Sequence, residues 1–334
     1  NAIGFTGYTL KTKLKTIITN GHDGNSYDNL FTDIKGFKTT DVDHYYEDDG
    51  SILDMYSEKP NATDAYNYSY YANDKCGSYQ GESDCYNGEH IVPQSTYNSQ
   101  MPMVGDIHQL IPTDGYVNNR RSNYPFGIID NPTWTSTNGS KLGDISVTEY
   151  SGKAFEPIDE FKGDIARILF YFATRYETQV DNYSFPMFNG TENQVFKLPF
   201  LQMLVDWHNS DPVSQFEIDR NDNAYIYQGN RNPYIDHPEF VQQIWSQALS
   251  TTNFETLATI SVYPNPTLDR QIYIDSEVEV DEIQLINING QLMQQIQKPT
   301  RTNNTYTVEN LPSGFYFIKI SSENQSITKK IIVN

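Results

Sequence analysis

The residues best suited to chemistry lie close together. Glu89 and His90 are adjacent in Asn87-Gly88-Glu89-His90-Ile91-Val92-Pro93, followed by Asp106-Ile107-His108 and by Asn118-Asn119-Arg120-Arg121. An imidazole with a pKa of about 6.5 can take a proton from water near neutral pH. A carboxylate and an amide oxygen suit a hard divalent cation such as Mg²⁺, and a neutral second ligand leaves that cation strongly electrophilic. The set fits metal-assisted hydrolysis. Singly, no piece is specific: a Glu-His pair is commonly a surface pair, and an Asn in a short polar helix ordinarily does nothing. Their order and proximity carry the reading.

Positioning these groups needs two strands and a helix. The first two segments read as short strands ending at Pro93 and Pro112. The third opens on Thr113-Asp114, good N-cap types, and can make one or two helical turns. Adjacent residues of an extended strand point to opposite faces, so Glu89 and His90 can share a site only where the backbone is irregular. Around this unit, Leu10, Leu14, Ile17 and Ile18 predict an amphipathic helix, and Ile52–Tyr56 reads as a strand. Helices are expected over about 158–177, about 198–209 and from Asp236 onward, with a loop over Gln228–Tyr234. The acidic cluster Asp41, Asp43, Glu47, Asp48 and Asp49 lacks EF-hand spacing, which favours a solvated hairpin turn over calcium.

At 334 residues, two domains are the starting expectation. The helical pattern stops near Ser250–Asn253, and from Ile260 only short strands follow, with a type I′ signal at Asn289-Gly290. This predicts an α+β domain over residues 1–250, a linker over 251–258 and a small β-sandwich over 259–334. No run of 18 apolar residues offers a membrane span. The start, Asn1-Ala2-Ile3-Gly4, has neither a basic nor an apolar leader region, so a signal peptide is expected to be missing or already removed. Cys76 and Cys85 lie in a polar stretch; a disulfide suits an oxidising compartment, free thiols are the alternative, and zinc lacks partner ligands. The net charge of −20 offers no broad basic face for a polyanion.

Residues 74–126 resemble the bacterial endonuclease I family of ββα-metal (His-Me finger) nucleases. Glu89-His90 with Pro93 matches that family's first strand, Asp106-Ile107-His108-x-Leu110-x-Pro112 its second, and Val117-Asn118-x-x-Arg121-x-Asn123 its helix. Asp164–Tyr176, Asp206-Trp207-His208 and Gly229–Tyr234 extend the likeness over most of residues 5–248. The resemblance implies His90 as general base and Glu89 and Asn118 as ligands of one divalent ion, Mg²⁺ with Mn²⁺ or Ca²⁺ as alternatives. It also implies a backbone-directed enzyme acting on DNA and RNA, leaving 5′-phosphate ends.

Two departures concern the cation that grips the phosphate. The family commonly has Arg or Lys directly before the Glu, where this chain has Gly88, and residues 94–104 contain no Arg or Lys. Arg121, assigned a catalytic role, and Arg120, as a phosphate contact, are the nearest substitutes; a structural ion pair is as plausible for both. Arg231 is a further nucleic-acid candidate on a loop that is equally a structural turn. His108 reads as a buried supporting residue and His208 as core.

Ser261–Pro266, Leu311–Tyr316 and the ending Lys329–Asn334 are similar to the type IX secretion sorting domain. This implies export by that machinery to the cell surface or beyond, without a catalytic role for the β-domain, and a monomer is expected. An inactive nuclease-like binding protein and a tyrosine-lined carbohydrate-binding module are the competing readings. Retention of Glu89, His90 and Asn118 together argues against the first.

Overall fold

Leu10, Leu14 and Ile18 recur about one turn apart, and helix α1 (Gly7–Thr19) buries all three. The computed structural model describes residues 2–71, 74–258, 260–322 and 325–334. Two short helices follow, α2 (Tyr27–Thr32), N-capped by Ser26, and α3 (Phe37–Thr40). Strands β1 (Tyr86–His90) and β2 (Leu110–Asp114) pair antiparallel, with Glu89 opposite Ile111 and His90 opposite Leu110. Helix α4 (Gly115–Arg121) leaves β2 directly, its first turn capped by the Asp114 carboxylate, which accepts from the Val117 amide at 2.8 Å. A three-stranded antiparallel meander, β3 (Pro132–Thr135), β4 (Lys141–Val147) and β5 (Tyr150–Glu156), comes next.

Helix α5 (Lys162–Arg175) is the core of this half, buried along almost its whole length. Its polar groups are therefore paired. Arg167 donates to both Glu217 oxygens (2.5 and 2.7 Å) and to Asp164 (3.0 Å). Around it pack α6 (Leu198–Ser210), α7 (Gln215–Gln228), α8 (Pro233–Asp236) and α9 (Phe240–Ala258). Phe170 meets Trp245 at 4.5 Å between ring centroids.

The chain divides into two compact units, Asn1–Ser246 and Gln247–Asn334. The second carries β6 (Ser261–Tyr263), β7 (Ile272–Asp275), β8 (Glu282–Asn287), β9 (Leu292–Gln297), β10 (Thr305–Val308), β11 (Gly314–Ser322) and β12 (Gln325–Val333). They form two antiparallel sheets, β10-β7-β6 and β12-β11-β8-β9. Ile272, Ile274 and Val308 from one and Leu285, Ile318 and Ile331 from the other share a single core. Among the described residues no helix is long and apolar enough to cross a membrane.

The mixed α+β character and the all-β C-terminal region agree with the sequence, but several local expectations fail. Of Ile52–Tyr56, only Ile52 makes a β-bridge, to Val42. The Asp54 side chain accepts the Tyr56 amide (2.8 Å) and the Ser57 hydroxyl (2.7 Å), so a side-chain-stabilised turn wins over the strand. Helix α7 went unforeseen although Ser214 and Glu217 form a capping box. Asp236 ends α8 instead of starting the next helix, its carboxylate taken by Arg231 (2.7 and 2.8 Å). Residues 251–258, expected as a linker, continue α9; no Gly or Pro interrupts residues 240–258, and the weak helix formers there cost only tenths of a kcal/mol each. The Asn289-Gly290 turn is not type I′, because of the two only Gly290 has positive φ (+80°). The acidic run does form a turn between Val42 and Ile52, with Glu47, Asp48 and Asp49 exposed, but Asp41 and Asp43 are buried.

Cys76 and Cys85 are disulfide-bonded and close a short loop immediately before β1. A loop of this length is worth about 2–3 kcal/mol through the entropy removed from the unfolded chain. Cys76→Ser with Cys85→Ser should lower the urea unfolding free energy of the N-terminal unit by that amount. An unchanged midpoint would show that the loop holds itself.

Candidate active site

Glu89, His90 and Asn118 line one cavity of about 320 Å³, together with Tyr27, Tyr79 and Asn87. Strand β1 ends at His90 and the chain bends at Ile91–Val92, so the Glu89 and His90 side chains reach the same cavity despite being neighbours. Each group is then set by specific bonds.

His90 is 6 % exposed, and its Nε2 lies 3.1 Å from the Val104 carbonyl oxygen. A carbonyl only accepts, so Nε2 carries the proton and Nδ1 is left as a lone pair. Burial, with the nearby Arg121 charge, lowers its pKa to about 4, and the bond to Val104 only partly offsets this. The ring is neutral at pH 7. Tyr27 stacks on it at 5.6 Å and 20°.

Asn118, presented by α4, donates Nδ2 to Asn87 Oδ1 (2.7 Å) and to the Gly88 carbonyl (3.3 Å). The amide is thereby oriented, and its Oδ1 is the atom left for a ligand. Glu89 is 2 % exposed; Oε1 accepts from the Tyr56 hydroxyl at 2.9 Å and lies 3.3 Å from Arg121 Nε. Burial pushes this carboxyl up to about 7, against the opposing pull of Arg121 and Tyr56. A buried carboxylate short of positive charge and a free amide oxygen form an all-oxygen donor set. A hard divalent cation fits it.

The arginines differ sharply in placement. Arg121 is 1 % exposed and donates to the backbone carbonyls of His90 (3.1 Å) and Ile91. Arg120 is exposed, donates to the Tyr116 hydroxyl (3.0 Å) and lies over the rings of Tyr116 and Trp134 (5.2 and 5.4 Å). No carboxylate pairs with it among the described residues. Arg231 is held by Asp222 and Asp236 (2.7 Å each) and lines a separate cavity bounded by α1 and the α7–α9 region. His108 is buried against Tyr171 (4.8 Å), its Nε2 donating to the Asn230 carbonyl (3.0 Å). His208 is likewise buried, bonded to Pro238 O at 3.1 Å.

Sequence reasoning passed over Tyr56, Tyr27, Asn87 and Lys75. Lys75 Nζ sits 3.6 Å from the Phe31 ring centroid and 5.3 Å from that of Tyr27. A Cβ at position 88 would meet the side-chain ends of Tyr27 and Phe31 at 2.9–3.0 Å, so a longer residue before Glu89 would require those rings to shift. The Lys-Cys pair at 75–76 was the one available signal, since the disulfide ties Lys75 to the start of β1.

Residues 6–239 match the family described as Endonuclease I, and residues 261–334 match the secretion system C-terminal sorting domain. An extracellular ribonuclease of Bacillus amyloliquefaciens is 34 % identical over 250 residues, 73 % of this chain and 76 % of the relative. One from Bacillus subtilis is 32 % identical over 248 residues, again 73 % and 76 %. An endonuclease-1 of Buchnera aphidicola is 30 % identical over 133 residues, 39 % of this chain and 45 % of the relative. The chain belongs to the endonuclease I family. It is a nuclease with a type IX sorting tail, and its location is secreted or at the cell surface.

Two buried ionisable groups of this cavity, Glu89 and His90, are shifted so that their effects on stability oppose each other. With metal chelated, folded Glu89 keeps a proton up to about pH 7, whereas the unfolded chain releases it near 4.5. The folded state binds more protons in that window, so stability falls as pH rises through it. His90 runs the other way: its folded pKa near 4 lies below the ordinary 6.5, so stability rises with pH between the two. Glu89→Gln removes only the first effect. In EDTA, the stability of Glu89→Gln relative to wild type should grow between pH 5 and 7.5 by about 2–3 kcal/mol. Equal differences at both pH values would show that Glu89 is not held protonated.

Proposed function

We propose that this nuclease carries a ββα-metal (His-Me) finger that hydrolyses the backbones of DNA and RNA with one divalent ion, leaving 5′-phosphate ends. The observation that carries the reading is the His90 tautomer. The Val104 carbonyl accepts a hydrogen bond from Nε2–H, which leaves Nδ1 as the base in a cavity shared with a fixed amide oxygen and a buried carboxylate. Glu89 and Asn118 Oδ1 would hold the ion, Mg²⁺ first and Mn²⁺ or Ca²⁺ as alternatives. When bound, it supplies Lewis-acid stabilisation of the charge that builds on the phosphate and on the leaving 3′ oxygen.

The protein's own part is positional. His90 Nδ1 accepts the proton of the attacking water, and the approaching phosphate anion raises the basicity that burial has lowered. Tyr27 holds the ring plane, and Val104 prevents the ring from turning. Arg121 acts as a positioning residue: it anchors the carbonyls on either side of the strand end and faces Glu89. Its burial leaves the phosphate to Arg120 and Lys75, the nearby exposed and half-buried cations. No base-reading element is needed, so sequence preference should be weak. The extracellular ribonuclease relatives favour RNA as one of the substrates.

His90→Ala should lower kcat on plasmid DNA and on RNA by about 10²–10⁴-fold, with the circular dichroism spectrum unchanged, and EDTA should abolish cleavage by the wild type. Full cleavage by the folded variant would rule out His90 as the base. Arg120→Ala should raise KM several-fold and flatten the dependence of log binding on log salt by about one unit. An unaltered salt slope would remove Arg120 from the phosphate contacts.

A further inference from the structure

Three acidic side chains away from the catalytic cavity converge without a basic partner. One carboxylate oxygen from each of Asp43, Glu47 and Glu58 lies within 4.8 Å of the other two. Asp43 cannot retreat, because its two oxygens accept the backbone amides of Tyr45, Tyr46, Glu47 and Asp48 (3.0–3.2 Å). Glu58 comes from a different segment and is 1 % exposed, and its Oε1 is buried with no hydrogen-bond partner. Among the described residues, no Lys, Arg or His pairs with any of the three. A buried carboxylate oxygen aimed at two other carboxylates is an expensive arrangement unless a positive charge completes it.

We infer that Asp43, Glu47 and Glu58 form a calcium site that braces the turn behind the catalytic cavity. Ca²⁺ is favoured over Mg²⁺ because the ligands come from irregular segments that offer flexible oxygen coordination at no fixed octahedral angles. Asp64, whose Oδ1 accepts the Lys59 amide (2.7 Å), adds negative charge nearby. The Glu58 amide donates to the Asp54 carbonyl (2.9 Å), in the same turn that carries Tyr56 to Glu89. The Glu58 carbonyl also accepts from Asn138 Nδ2 (3.3 Å), in the β3–β4 connection. Calcium would thus fix the turn from which the Glu89 hydroxyl partner projects. The run Asp41–Asp49 alone hides this, since Glu58 arrives from outside it.

The test uses the full chain stripped of metal. Calcium binding is measured by equilibrium dialysis in an Asn118→Ala background, which weakens the proposed catalytic site, with Glu47→Gln and Glu58→Gln added singly. The background should bind one Ca²⁺ in the 10⁻⁴–10⁻³ M range of extracellular modules. Each added change should weaken this binding at least tenfold. In the background, 10 mM CaCl₂ should raise the Tm of the N-terminal unit by about 5 °C, and 10 mM MgCl₂ by much less. Glu47 is exposed, so Glu47→Gln will fold and keeps the test decisive if Glu58→Gln does not. Unchanged calcium binding in Glu47→Gln overturns the proposal. So does a Tm insensitive to calcium in the background, which would mark the cluster as carboxyls sharing protons.

Discussion

The guanidinium of Arg121 is the constraint around which the site is built. It leaves the last turn of α4, binds the carbonyls of His90 and Ile91, and faces Glu89. One side chain thus locks the helix that carries Asn118 to the strand that carries His90 and Glu89. Phe126 closes the other side, its ring centroid 4.8 Å from the guanidinium carbon. An Arg buried this fully is bound by geometry that a lysine could not match, since its planar fork reaches two carbonyls and a carboxylate together. The cavity's charge balance follows. One guanidinium and one tyrosine hydroxyl leave Glu89 undercompensated, which is the condition under which a divalent cation binds well.

The same economy explains how so acidic a chain can act on a polyanion. Several arginines lie inside: Arg220 between Asp41 and the carbonyls of Ile107 and Leu110, Arg167 on Glu217 and Asp164, Arg121 at the strand end. Arg220 supports the start of β2 from behind, and Arg167 ties α5 to α7. Their charges stabilise packing rather than draw in substrate. In the mechanism proposed above, the remaining attraction falls to a few cations beside the cavity and to the ion that Glu89 and Asn118 would hold. This suits an enzyme that grips little of the backbone at once.

Much of the site was legible because its residues cluster in the sequence. Glu89, His90 and Asn118 lie on a strand–strand–helix run whose caps and prolines could be read locally, and α5 and α6 follow from apolar periodicity. What could not be read came from distant segments. Tyr56 reaches Glu89 across 33 residues, and nothing near Asp54 announces that its side chain turns the strand into a loop. The orientation of Asn118 depends on Asn87, and the His90 tautomer on Val104. Hydrogen-bond direction is a property of the fold. Helix α7 is different: its capping box was present in the sequence, but its weak amphipathic pattern concealed it.

The departure at Gly88 shows how such long-range packing reshapes a motif. A Cβ there would enter the rings of Tyr27 and Phe31, and Tyr27 is the ring stacked on His90. A basic residue before Glu89 would therefore have to displace the ring that supports His90. A cation is still present on that side: Lys75 lies over the same two rings, on the segment the Cys76–Cys85 bridge joins to β1. Cation–π contact holds the ammonium against these rings, 3.9 Å from the exposed Asp28 carboxylate. A positive charge removed from the strand is thus matched by one on the adjoining loop, and the disulfide fixes the register between them.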